Sequence, residues 1–180
     1  MSRILVVCTG NVCRSPMAEA FLRAALVRRL GGEAPKVASA GTAGWEGSGA
    51  TNEAIAAAGE RGLDIARHRA RELRSDLIDQ ADLVVCMTAE HRKAVVRLDA
   101  AAVHKTFTLA ELVRLLEAER PIGSPLERVA AAAAARNGTA PEDPDIRDPL
   151  GDPLEGYREV AGELVDLSER LADALAPETR

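Results

Sequence analysis

Apolar residues in this chain fall into two patterns: short unbroken runs, and longer stretches where they return every three or four positions. Ile4-Leu5-Val6-Val7 is an unbroken run closing on a glycine-containing loop, as expected of a strand buried on both faces of a parallel sheet. A helix is predicted directly behind that loop, with Ser15 as its cap and Pro16 in its first turn. Ala18, Phe21, Leu22, Ala25 and Leu26 recur there at helical spacing until Gly31-Gly32 ends the pattern. The alternation continues with a strand over Val37 to Gly41, a helix around Ala50 to Arg61, a buried strand from Asp82 to Met87 and a helix over Ala89 to Arg97. Lys105 to Leu109 reads as a short fourth strand, and Ala110 to Glu119 as a helix with Leu112, Leu115 and Leu116 on one side.

From there to Asp145 the chain is rich in Pro, Gly and acidic residues around an alanine run, and 119-145 is expected to be a surface insertion holding a short helix. Asp152-Pro153, as cap and first-turn residue, opens a last helix that aligns Leu154, Tyr157, Ala161, Leu164, Leu171 and Leu175. Strands alternating with helices predict an α/β fold with a parallel sheet. With no repeat and no long linker, 1-180 is expected to form one domain.

Charge and composition narrow the partners. A net charge of −5 supplies no global basic field for nucleic acid or anionic lipid, and aromatic residues at 2% leave few platforms for stacking bases. Any anion binding must be local. The apolar run after Met1-Ser2-Arg3 is too short for a signal peptide or a membrane span, so a cytoplasmic protein is expected. Three cysteines without framework spacing point to buried or reactive thiols rather than structural bridges.

The loop between the first strand and helix carries the candidate chemistry: Cys8-Thr9-Gly10-Asn11-Val12-Cys13-Arg14-Ser15. A Cys and an Arg at this spacing mean little alone in a chain with 23 Lys and Arg; their position at a helix N-terminus, where N–H groups lack partners, gives the pair its meaning. Gly10 and Asn11 tolerate the left-handed backbone needed to curl around a tetrahedral anion. Arg14 can add a bidentate guanidinium, and such positive surroundings favour Cys8 as a thiolate nucleophile. Cys13 is expected to pack beside Cys8 or to guard it by oxidation, and Cys86 to be core. Cleaving a phosphate ester requires a proton for the leaving oxygen, so a carboxylic acid is needed as well. Asp143, Asp145, Asp148 and Asp152 are the candidates. Capping accounts for Asp152, whereas Asp148 lies in a loop stiffened by Pro149, so Asp148 is the better acid.

The stretch Cys8 to Glu19 resembles the signature of the low-molecular-weight protein tyrosine phosphatases, a family that includes protein-arginine phosphatases. Ser39-Ala-Gly-Thr42, His68-Arg-Ala-Arg71 and Asp148-Pro-Leu-Gly151 resemble its other landmarks in the same order. The resemblance implies a flavodoxin-like three-layer sandwich with a four-stranded parallel sheet, no metal or other cofactor, and hydrolysis of protein phosphotyrosine through a phosphocysteine with Asp148 as general acid. It makes Thr9 to Cys13 and Ser15 the phosphate loop, with Ser15 stabilising the Cys8 thiolate. Asn11, Ser39 and His68 become its supports, although His68 read alone is a partly exposed helix-end residue and Arg67 to Arg71 a solvated face. Trp45 is implied as a wall of the substrate pocket. Leu150 departs from the pattern, since relatives often carry an aromatic residue directly after Asp-Pro. Val12 stands where members specific for phosphoarginine tend to have Thr, which makes a protein-arginine phosphatase the alternative. A thiol-dependent arsenate reductase lacks its relay of cysteines here, a non-catalytic phosphate binder would not need the acid, and His91 and His104 have no zinc-ligand spacing.

Overall fold

The computed structural model describes residues 1–136 and 145–176. Its centre is a parallel sheet of β1 (Arg3–Cys8), β2 (Lys36–Gly41), β3 (Leu83–Cys86) and β4 (Thr106–Thr108), in the order β2-β1-β3-β4. The helices are α1 (Arg14–Leu30), α2 (Asn52–Gly59), α3 (Ser75–Asp79), α4 (Ala89–Leu98), α5 (Leu109–Glu119), α6 (Pro125–Ala134) and α7 (Leu154–Leu175). This is the expected flavodoxin-like sandwich. Alternate residues of β1 serve the two faces of the sheet: Ile4, Val6 and Cys8 meet the larger core, while Leu5 and Val7 meet a smaller one holding Ile78 of α3 and Val95 of α4. Residues of α1, α2, α5, α6 and α7 build the larger core, α7 through Tyr157, Ala161, Leu164, Leu171 and Leu175 at helical spacing. Among the described residues, no helix is long and apolar enough to cross a membrane.

Three expectations change. Ser15 does not cap α1: the cap position is Cys13, no side chain caps the helix, and the Ser15 hydroxyl turns toward Cys8. The N–H groups of that first turn therefore stay available to another acceptor. Asp152 does not cap α7 either, because its carboxylate is drawn aside into an ion pair with Arg147. The described part of 119-145 is not all surface, since α6 buries Val129 and Ala132 in the larger core. A capping box of Ser124 and Glu127, followed by Pro125, starts that helix. Arg136 then anchors its far end on the buried Glu111, with the guanidinium 4.2 Å from the centre of the Phe107 ring. Asp143 lies outside the described residues.

In this strand order the connections reverse direction between β1 and β3, and the crevice at the carboxyl ends of those strands is where open α/β sheets bind ligands. The Cys8 loop leaves β1 at that crevice.

Candidate active site

Five consecutive carbonyls of the loop are pulled outward. Cys8 O accepts from Thr42 N at 2.9 Å, Thr9 O from Ala43 N at 3.0 Å, Gly10 O from Trp45 N at 3.1 Å, and Val12 O from Thr51 N at 3.0 Å. Between them, Asn11 O accepts from His68 Nε2 at 2.7 Å, and because a carbonyl only accepts, His68 carries its proton on Nε2. In a trans peptide the N–H points opposite to the C=O, so N–H groups of the loop are turned inward. Together with the uncapped start of α1 they form a cradle of donors that suits a tetrahedral anion.

Asn11 holds this curvature. Its φ is +58°, in the left-handed region, and its side chain is fully engaged: Nδ2 donates to Ser15 Oγ at 2.8 Å and Ser39 Oγ at 2.9 Å, and Oδ1 accepts from Arg71 N at 2.9 Å. Ser39 in turn donates to Glu19 Oε2 at 2.7 Å. Asn11→Ala should destabilise the protein by about 3 kcal/mol or more, combining left-handed strain with buried partners left unmatched. Asn11→Gly should recover only about 1 kcal/mol of that loss, the backbone part. Urea midpoints of the two variants check this, and equal destabilisation by both would discount the backbone strain.

Around Cys8, Ser15 Oγ lies 2.9 Å from the sulfur. Having accepted from Asn11, the hydroxyl keeps its own proton available to a thiolate. Arg14 is buried and threads between the loop and residues 146–148, donating through Nη1 to Ile146 O at 3.0 Å and through Nη2 to Asp148 Oδ2 at 2.5 Å. Its Nη2 also reaches Thr9 Oγ1 at 3.4 Å. Asp148 is 43% exposed at its side chain, with Oδ1 accepting from Leu150 N at 3.2 Å. The Asp148 loop is stitched to the end of β3: Ile146 N donates to Met87 O at 2.9 Å, and Ala89 N at the start of α4 donates to Asp145 Oδ1 at 2.8 Å. Of the acid candidates among the described residues, Asp148 alone lines the cleft over the sulfur.

That cleft is small, about 60 Å³, and is bounded by Cys8, Thr9, Gly10, Val12, Cys13, Arg14, Trp45, Asp148 and Leu150. Trp45 and Leu150 stand at its rim, 51% and 46% exposed. A Cβ placed on Gly10 would meet the Trp45 indole at 3.6 Å, an ordinary contact, which puts the ring directly over the loop. Cys13 is buried, its Sγ 3.5 Å from Tyr157 OH and 3.7 Å from Thr51 Oγ1. Burial pushes its thiol up, with those two contacts partly opposing. Cys86 sits in the smaller core, and burial pushes its thiol far up. All three cysteines are free.

The structure thus gathers every expected site residue around one loop: Thr9 to Cys13 as the loop itself, Ser15, Ser39 and His68 as its braces, and Arg14, Asp148, Trp45 and Leu150 around the cleft. It adds residues the sequence did not announce. Arg71, expected to be solvated, donates from Nε to Ser39 O at 2.7 Å. His91 is buried, with Nε2 2.9 Å from Thr9 Oγ1 and Nδ1 2.9 Å from Thr88 Oγ1. Burial, with Arg14 nearby, pushes its pKa down to about 4. Spacing gave no sign of either, because their partners lie 32 and 82 residues away. Among the described residues, no group of three or more His, Cys, Asp or Glu could hold a metal ion.

A buried thiol in an anion cradle, with a carboxyl group facing it, defines a site suited to phosphoryl transfer. Residues 3–129 match the family model described as low molecular weight phosphotyrosine protein phosphatase, and the chain belongs to that family of hydrolases. Along 176 residues, 98% of this chain and 97% of the relative, it is 39% identical to a protein-arginine-phosphatase of Geobacillus stearothermophilus. It is 46% identical over 99 residues, 53% of this chain and 58% of the relative, to a low molecular weight protein-tyrosine-phosphatase of Streptomyces coelicolor. The crystal structure of a low molecular weight protein tyrosine phosphatase from T. tengcongensis superposes with a TM-score of 0.75 at 34% identity, covering 96% of this chain and 99% of that one.

Proposed function

We propose that this protein hydrolyses phosphotyrosine in phosphorylated proteins or peptides, with Cys8 as nucleophile and Asp148 as general acid. The observation that carries the reading is the cradle of inward N–H groups around Cys8, closed by Arg14 and faced by Asp148. The phosphoryl oxygens take the loop N–H groups and the Arg14 guanidinium, which aligns phosphorus with the sulfur. The thiolate attacks, the S–P bond forms as the P–O bond to the tyrosyl oxygen breaks, and Asp148 gives that oxygen its proton. Asp148, now a carboxylate, takes a proton from the incoming water as it attacks the phosphocysteine. The S–P bond breaks, inorganic phosphate leaves, and the Ser15 hydroxyl steadies the thiolate that returns. Every step uses groups of the chain, so the reading needs no cofactor.

The apolar margin of the cleft favours an aromatic leaving group: Val12, Trp45 and Leu150 offer flat or aliphatic contact to a phenyl ring. A second reading has its own support. The protein-arginine-phosphatase relative aligns along 98% of this chain, which keeps phosphoarginine as the rival substrate. Side-by-side rates on phosphotyrosine, phosphoarginine and phosphoserine peptides decide it. A phosphotyrosine rate at least about tenfold above the others is expected, from ring contact worth ~1.5 kcal/mol. Val12→Thr should narrow the gap to phosphoarginine by adding a hydroxyl to that wall. Turnover of phosphoarginine peptides with none of phosphotyrosine would reverse the assignment.

A further inference from the structure

We infer that His91 is a positioning residue that, as its Nε2–H tautomer, aims the proton of the Thr9 hydroxyl into the cleft, where it donates to an oxygen of the bound phosphoester. The inference rests on the phosphatase reading and adds to it a donor outside the backbone cradle.

Thr88 Oγ1 caps α4 by accepting from His91 N at 3.2 Å, and its hydroxyl proton is assigned to Nδ1, 2.9 Å away, the arrangement in which that hydroxyl both accepts and donates. With Nδ1 accepting, a neutral ring carries its proton on Nε2 and donates it to Thr9 Oγ1, 2.9 Å away. The same oxygen accepts from Arg14 Nη2 at 3.4 Å, and an Arg can only donate. Both lone pairs of Thr9 Oγ1 are then occupied, and its single proton must point away from both donors. Thr9 is exposed on the cleft side, among Cys8, Arg14 and Asp148.

In the opposite tautomer, Thr9 would spend its proton on Nε2, leaving none for a ligand. Burial and the nearby Arg14 keep the ring neutral at ordinary pH, so one nitrogen carries a proton and the other accepts, while Asp148, Asp145 and Glu90 act in the other direction. His91 never reaches the reacting atoms in this scheme. It acts through Thr9.

Two measurements test it on the full-length protein. Imidazole 15N NMR reports the tautomer directly: protonated Nε2 and bare Nδ1 are expected, and a ring protonated on Nδ1 overturns the relay whatever the activity. With p-nitrophenyl phosphate, Thr9→Val and His91→Leu should each lower kcat/KM by about tenfold, the loss of one hydrogen bond to a charged group. His91→Gln, whose amide can still donate toward Thr9, should recover most of the rate. In a Thr9→Val background, His91→Leu should cost nothing further, because its action passes through that hydroxyl. A full additional tenfold loss there, or a His91→Gln as slow as His91→Leu, would show that the ring merely supports the fold. Absence of any wild-type turnover would count against the phosphatase reading instead, and the NMR result would still judge the tautomer.

Discussion

Cys8→Ser should reduce hydrolysis of an aryl phosphate by at least ~10⁴-fold, the scale seen when a nucleophile that works as part of a unit is removed. The substitution exchanges sulfur for oxygen in a position already enclosed by the loop, so folding should be little affected. The alcohol is held 2.9 Å or so from Ser15 Oγ, and a serine hydroxyl, unlike a thiol, stays un-ionised near neutral pH. Ser15 Oγ already accepts from Asn11 and is itself no base, and Arg14 can only donate. Cys8→Ser should therefore bind inorganic phosphate about as well as the wild type while failing to turn over, because the carbonyl bonds that orient the cradle do not involve the side chain at position 8. Isothermal titration with phosphate, alongside initial rates, separates the two properties. Equal rates for Cys8→Ser and wild type would end the catalytic claim.

Asp148→Ala is expected to lower turnover by about a hundredfold or more, as for loss of a general acid. The loss should depend on the leaving group. Phenyl phosphate, whose oxygen departs poorly without a proton, should suffer most, and 2,4-dinitrophenyl phosphate least. Phosphate binding should be unchanged or tighter, since Asp148 competes for the Arg14 guanidinium through a 2.5 Å contact. Asp152→Ala provides the contrast. Its carboxylate pairs with Arg147, outside the residues that bound the cleft, so its effect should fall on stability rather than on leaving-group dependence. If Asp152→Ala instead steepens that dependence and Asp148→Ala does not, the acid has been assigned to the wrong residue.

Much of this site is legible in the chain because its central parts are contiguous. A buried strand, a glycine-containing loop and a helix start follow one another within Ile4 to Pro16, and each announces itself by local pattern. Asp148 could be singled out for a similar reason, as Pro149 restrains its backbone locally. Local pattern misleads where a side chain has two possible local roles. Ser15 and Asp152 both have the chemistry of a cap, yet one turns to Cys8 and the other to Arg147. The alanine run of α6 carries little periodic information, and its burial against the core depends on what α5 and α7 present to it. A local signal for its start was nevertheless there, in Ser124-Pro125-Leu126-Glu127.

Local pattern in the chain sets the order of the strands and of the helices apart from the short α3, the parallel α/β class, the placement of Cys8 and Arg14 at a helix start, and Asp148 as the acid candidate. These follow from backbone periodicity and from the conformational limits of Gly, Asn and Pro, which act over a few residues. Packing of distant segments is what turns five carbonyls outward from the loop, brings Arg71 and His91 to it, and stands Trp45 and Leu150 at one rim. Those outcomes are hydrogen bonds and contacts between segments far apart in the chain, and a donor selects its acceptor only after packing has brought the two within about 3 Å.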